Sequence, residues 1–358
     1  MKENYPWIQA LRAVAALLVL HFHLKPYWDL APILRPSGDW FHWGFFGVDI
    51  FFALSGFVVY RSARYASAGK GMGRFLWRRL SRIYLGYWPV FFAVVLFAPT
   101  FLQKSILPMP QMVGSFFLLY PDMMQNWIVT AWSLTFEIMF YLWLFCFFVV
   151  TKNPVKLMVA AAVLLAAWNF GWLLFRPDLV FSGTHPARYL LTALGIEFLA
   201  GALIYELYER RRDWFKNTLL ASLLALCLIA LGLSASTVLP GSGVIEILRV
   251  STFGLAGLGF LLLAVALGES GYQPPRSLVA IGDASYSLYL LHPYLLSASG
   301  VLREGWAKSH DVNITLFTLA TPVCIVIVCV LWFRLVEAPI FKLAGRLTDQ
   351  RKTSLQAT

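Results

Sequence analysis

Charged side chains are scarce in this sequence. Only 13% of its 358 residues are Asp, Glu, Lys or Arg, whereas 59% are hydrophobic. Apolar runs of membrane-spanning length recur from one end to the other, which excludes an ordinary water-soluble domain. Cysteine is scarce too. Cys146, Cys227, Cys324 and Cys329 all lie within apolar runs, without the paired Cys/His spacing of a zinc site; no metal is expected, and they read as small buried apolar residues. Low-complexity tracts, Ser/Pro-rich linkers and internal repeats are missing, which leaves a single domain over residues 1–340 and a short basic tail over 341–358. No arginine-aromatic stripe sits on a soluble portion of the chain, which excludes nucleic acid as a partner.

What is present is a series of about ten apolar segments, near residues 7–24, 44–60, 83–102, 131–150, 157–175, 188–207, 218–235, 245–267, 284–302 and 313–335. Lipid offers the backbone no hydrogen-bond partner, and runs this long are helices rather than barrel strands, so the expected fold is an all-α polytopic bundle. The first segment carries Arg12 in its apolar part and lacks a small-residue cleavage site, so it reads as an anchor that stays. Of the 29 basic residues, nineteen fall in segments on the side of the amino terminus and seven on the other. That asymmetry predicts both termini in the cytoplasm.

Arg12 and His23 stand in the first span. At about 100° per residue, eleven positions bring His23 within about 20° of Arg12 and about 16 Å further along the axis, whereas His21 faces the opposite side. A charge placed in the bilayer is by default functional. Asp49 near the start of the second span and Glu137 in the fourth are expected in the same outer half as His23. A carboxylate accepting one ring N–H would leave the other nitrogen free to take a proton from a hydroxyl. Two other readings stay open: Asp49 as a helix amino-terminal group, and Glu137 paired with Arg249 or Arg334.

Between Arg61 and Arg82 lie seven basic residues and no acid. Topology and attraction to anionic headgroups of membrane lipids explain most such segments, while a polyanionic ligand held by Arg79 and Arg82, one turn apart, is the sharper explanation. Asp283 reads as a helix cap. His292, before Pro293, either lines a cavity or bonds the carbonyl that the proline frees. Glu197 has no local partner and must face the interior. Arg334 and Glu337, three apart, read as a local ion pair. The stretch Met112 to Tyr120 is too short to span and reads as interfacial or re-entrant.

Several segments together resemble the integral-membrane acyltransferase-3 family. They are Arg12 to His23 with ten residues between; Gly47-Val48-Asp49-Ile50-Phe51-Phe52-Ala53-Leu54-Ser55-Gly56-Phe57; Arg78-Arg79-Leu80-Ser81-Arg82-Ile83 followed by Tyr87-Trp88; Trp132-Ser133-Leu134 with Glu137, Phe140 and Tyr141; Ser285 to Pro293; and Val336-Glu337-Ala338-Pro339. One departure is Leu85, where the family often has proline. The resemblance implies a transmembrane acyltransferase domain over residues 1–340, in the inner membrane. It would move an acetyl group from acetyl-CoA, a donor substrate, to a hydroxyl of a glycan or lipid-linked sugar such as lipopolysaccharide. It implies His23 as catalytic base, for which Asp49 and Glu137 stay the candidate carboxylates by their expected depth. Arg12, Arg78, Arg79 and Arg82 would bind the donor, and Trp132, Ser133, Tyr141, Tyr286, His292 and Glu337 would line the cavity. A small-metabolite acceptor is an alternative, and a permease another.

Overall fold

The computed structural model describes residues 5–31, 33–36, 42–101, 105–175 and 189–344. The tail beyond residue 344, together with Lys2, Lys104, Arg176 and Arg188 of the charge count, lies outside the described residues. All regular structure among the described residues is helical. In chain order the principal helices are α1 (Pro6–His23), α2 (Gly47–Tyr65), α3 (Met72–Phe101), α4 (Met109–Phe116), α5 (Trp132–Val150), α6 (Val155–Phe175), α7 (Leu194–Arg210), α8 (Thr218–Val238), α9 (Leu255–Glu269), α10 (Arg276–Asp283), α11 (Ser285–Leu302) and α12 (Ile314–Trp332).

Each of the ten expected spans contains a helix among the described residues, the one expected at 188–207 starting at Leu194. Seven of the described helical stretches are long and apolar enough to cross a membrane, those built on α2, α3, α5, α6, α8, α9 and α12. The chain is therefore a multi-pass membrane protein. The other three, α1, α7 and α11, are 18, 17 and 18 residues long and carry polar groups turned away from lipid, the buried Glu197, Glu206, Ser285 and His292 and the half-buried Arg12. Polar groups at membrane depth must face protein, so these helices lie inside the bundle.

Burial ranks the helices. In the stretch Gly44–Gly69, 78% of the most apolar window is buried, against 11% in α6 and α8, so α2 is central and α6 and α8 face lipid. Around α2 pack α1, α5, α7 and α9; α1 also contacts α10 and α11. Contact between α2 and α7 is backbone to backbone: Gly56 lies on the Phe198 carbonyl and Gly201 on that of Ala53. Small residues at such crossings let helices approach closely where lipid gives no hydrophobic drive. Gly254, Gly257 and Gly259 do the same for the Glu197 side chain, the Asp49 backbone and the Ala225 backbone.

Two local features differ from the sequence reading. The basic stretch before residue 83 is not a loop: α3 starts at Met72 after Gly71, whose φ of +77° breaks the chain away from the previous helix, and runs on into the membrane. The segment after Pro108 folds as α4 and ends at Leu118, with φ of +55°. It is fastened to α3 by the hydroxyls of Tyr84 and Tyr87, which donate to the carbonyls of Phe117 and Ser115 (2.9 Å each), and by Phe116 stacked on Trp88 at 5.1 Å.

Candidate active site

Five helices and one turn converge on an interior cavity of about 120 Å³. Arg12, two turns into α1, donates from Nε to Ser285 Oγ at 3.0 Å, at the start of α11. Arg79 and Arg82 enter from α3, one turn apart. Arg79 donates to Ser62 Oγ and to the Val58 carbonyl at 3.3 Å. From α5 come Ser133, Glu137 and Tyr141. Glu137 accepts from Ser55 Oγ of α2 at 3.0 Å and from the Tyr141 hydroxyl. Glu337, in the π-helical turn Phe333–Glu337 after α12, accepts from Ser287, and the Tyr286 hydroxyl donates to the Ile83 carbonyl at 2.9 Å. Three guanidinium groups meet two carboxylates here, so the cavity carries an excess of positive charge, suited to an anionic or strongly polarised ligand.

The cavity ends at Tyr289. Its hydroxyl is hydrogen-bonded to Ser133 Oγ at 2.9 Å, and its ring lies 6.0 Å from that of Phe51 and 6.2 Å from that of His292. Beyond it lies a histidine pair. His23, the last residue of α1, is exposed, whereas His292 is 1% exposed; their rings are 4.9 Å apart, with His292 Nε2 at 3.3 Å from His23 Nδ1.

The partners fix both tautomers. His292 Nδ1 lies 3.0 Å from the Leu288 carbonyl, an oxygen that can only accept, so Nδ1 holds the hydrogen and Nε2 is a lone pair. His23 Nδ1 faces two acceptors, that lone pair and the Val19 carbonyl at 2.8 Å, so it too holds the hydrogen. His23 Nε2 is left as an unprotonated nitrogen on the exposed side. This is the arrangement of a general base: when Nε2 takes a proton, the positive ring still has two acceptors at Nδ1.

The sequence-derived set therefore divides. Arg12, Arg79, Arg82, Ser133, Glu137, Tyr141, Tyr286 and Glu337 share the cavity; His23 and His292 stand beyond it. Arg78 is exposed on α3 and does not line it, and Trp132 packs instead on Phe52 and Phe136. Asp49 is elsewhere. Gly44 and Gly47 rest on the carbonyls of Leu18 and Ala15, which sets Asp49 well below the level of His23. There its carboxylate takes Arg249 in a fork, with Nε at 2.9 and 3.1 Å and a second nitrogen at 2.6 Å. The expected match in depth was wrong because the 3₁₀ turn Gly44–Phe46 places α2 lower along α1 than a span beginning at the surface would be. Glu197 is fully buried beside this pair. Asp283 is not a cap but closes α10 and accepts from Gln9 at 2.7 Å, and Glu337 turns inward to Ser287 rather than along its helix to Arg334.

Sequence reasoning did not assign His292 as the partner of His23, nor Tyr289 as the wall between. A signal for the first existed: Ser285 and His292 are seven apart, two turns on one face. They match Arg12 and His23 on α1, and the long arginine side chain makes up the difference in rise.

Fold and site together define a multi-pass membrane protein with a positively charged interior cavity leading toward an exposed, tautomer-locked histidine. The chain belongs to the acyltransferase-3 family, whose acyltransferase-domain model matches residues 5–333. It is 25% identical over 390 aligned positions to the peptidoglycan O-acetyltransferase OatA of Listeria monocytogenes, covering 95% of this chain and 56% of that protein. Over 289 positions it is 27% identical to the exopolysaccharide production protein ExoZ of Rhizobium meliloti, covering 78% of this chain and 85% of that protein. This chain thus spans only about half the length of the Listeria relative. No solved structure matches it.

Proposed function

We propose that this chain is an O-acetyltransferase of the inner membrane. It takes an acetyl group from acetyl-CoA on the cytoplasmic side and passes it to a hydroxyl of a surface polysaccharide or lipopolysaccharide sugar on the other. The observation that carries the reading is the free Nε2 of His23, held as a base at the far end of the same helix whose Arg12 lines the positive cavity. Support for the acceptor class comes from the names of the two relatives, and support for the orientation from the basic residues gathered at the cavity end.

Geometry limits how the donor sits. Drug-sized ligands occupy about 300–1000 Å³, so a cavity of about 120 Å³ takes only the narrow thioester end of coenzyme A, and its phosphates stay outside, by Arg82 and exposed Arg78. His23 Nε2 then removes the proton of the acceptor hydroxyl, and the oxygen attacks the thioester carbonyl. The carbon–sulfur bond breaks, and the coenzyme A thiolate takes the proton back from the imidazolium. Tyr289 stands in the way, so transfer requires its hydrogen bond to Ser133 to open and the ring to swing aside. Keeping it shut without acceptor excludes water from the thioester.

The test is acetyl-CoA turnover by membranes bearing the intact protein or His23→Ala, with mass spectrometry of envelope glycans in parallel. General-base catalysis is worth about 10²–10⁴ in rate, and a loss of that size is expected together with disappearance of one acetyl mass from a glycan. Undiminished turnover in the variant would overturn the reading.

A further inference from the structure

At the His23 end of the bundle, the connection between α11 and α12 forms a second cleft of about 530 Å³, well within the range that holds a small organic ligand. Its floor is Leu30 and Phe317; its walls carry Arg303, Glu304, Lys308 and Asp311. None of these belongs to the cavity above.

Three features point to a ligand. Arg303, less than a quarter exposed, has a buried Nε with no hydrogen-bond partner among the described residues, a donor left waiting. Asp311, exposed in the turn before α12, has φ of +51°, a left-handed conformation that Asp adopts more readily than most residues, and its carboxylate makes no hydrogen bond to the described residues. Glu304 sits between Lys308 and Arg303, whose hydrogen bonds hold its carboxyl below the usual range, so it stays ionised.

The charges select the chemistry. Two cations and two anions leave no net charge, so an anion such as phosphate finds no net attraction, while a purely apolar ligand would strand Arg303 and Asp311. A group whose every polar atom both donates and accepts satisfies all four, and a sugar hydroxyl is such a group. We propose that this cleft is a binding subsite for a neutral stretch of polysaccharide, remote from the reacting hydroxyl. Arg303 lies eleven residues past His292 along a continuous helical path, about 16 Å at 1.5 Å per residue, and Leu30 connects back to His23 through the short helix Lys25–Trp28. A sugar in the cleft and a hydroxyl at His23 therefore belong to different rings of one chain. Longer acceptors gain affinity from this second hold, which raises the local concentration of the reacting ring. The inference rests on the polysaccharide reading above for its purpose, though not for its chemistry.

The experiment is binding of the full chain in lipid nanodiscs to an array of neutral and acidic oligosaccharides of graded length, with Arg303→Gln, Asp311→Asn and His23→Ala beside the intact protein. Asparagine tolerates the left-handed backbone, so Asp311→Asn removes charge and keeps shape; thermal melting checks that each variant folds. Expected is binding of neutral chains that strengthens with length, reduced at least tenfold by Arg303→Gln or Asp311→Asn and retained by His23→Ala. Binding of no glycan, binding of acidic chains alone, or a signal untouched by both cleft substitutions would overturn the subsite. Acetyl-CoA turnover unchanged by His23→Ala would instead bear on the function proposed above and leave this result standing.

Discussion

A histidine is useful as a base only if its proton is on the right nitrogen, and here two backbone carbonyls decide it. Leu288 fixes His292, and His292 with Val19 fixes His23. His292→Leu would keep the volume and remove one acceptor from Nδ1, allowing the ring to turn. Because a misplacement of about 1 Å can cost about 10²-fold in rate, turnover is expected to fall by about that factor while the KM for acetyl-CoA stays put; steady-state kinetics separate the two. Arg82 should behave the opposite way. It is exposed, so the phosphate contact proposed for it would be screened: Arg82→Gln is expected to raise the KM for acetyl-CoA several-fold at low salt, and the difference should shrink as salt is added. His23 and Arg12 were legible because a shared helical face needs only arithmetic. The partner of Asp49 was not, since Arg249 is 200 residues away and only packing brings it there.

Among the helices, the spans could be read from hydropathy to within a few residues, and what escaped was their depth relative to one another. That is set by contacts such as Gly44 on Leu18 and Gly201 on Ala53, which leave no mark in composition. The same contacts make a sharp stability test. A Cβ at residue 201 would fall onto the Ala53 carbonyl, a backbone atom that cannot rotate away. Overpacking of this kind costs about 1–3 kcal/mol, so Gly201→Ala is expected to lower the thermal midpoint of the purified protein in detergent, whereas an unchanged midpoint would mean that α2 and α7 sit further apart than described. Because α2 also carries Ser55, Val58 and Ser62 to Glu137 and Arg79, lost activity should accompany lost stability. The length of α3 escaped for a different reason: seven basic residues without an acid read as a solvated loop, yet Arg74, Arg78 and Arg82, four apart, form one face of a helix that continues past the membrane surface.

In the molecule as a whole, the number of crossings sets parity. Seven crossings would put residues before α1 and after α12 on opposite sides of the membrane; ten would put them on the same side. The three helices that decide it, α1, α7 and α11, are the polar ones, and their directions argue that they cross. Helix α7 runs parallel to α2, meeting it at Ala53 with Gly201, Tyr60 with Tyr205 and Arg64 with Glu206, along the length of a helix that itself spans. Helix α1 runs against α2, from Tyr5 beside Phe57 to Leu18 beside Gly44. Helix α11 runs with α1, from Arg12 at Ser285, through His23 at His292, to Tyr27 at the Leu296 carbonyl. A first and a ninth segment can be parallel only if an odd number of crossings separates them, and seven do so if α7 is among them. The expectation is that a fluorescent reporter fused to either end folds on the cytoplasmic side, with alkaline phosphatase inactive at both positions and active when inserted beside Asp122. An active phosphatase at one end alone would mean that one of the polar helices enters the membrane and returns, and the path proposed from Arg82 to His23 would then begin and end on the same face.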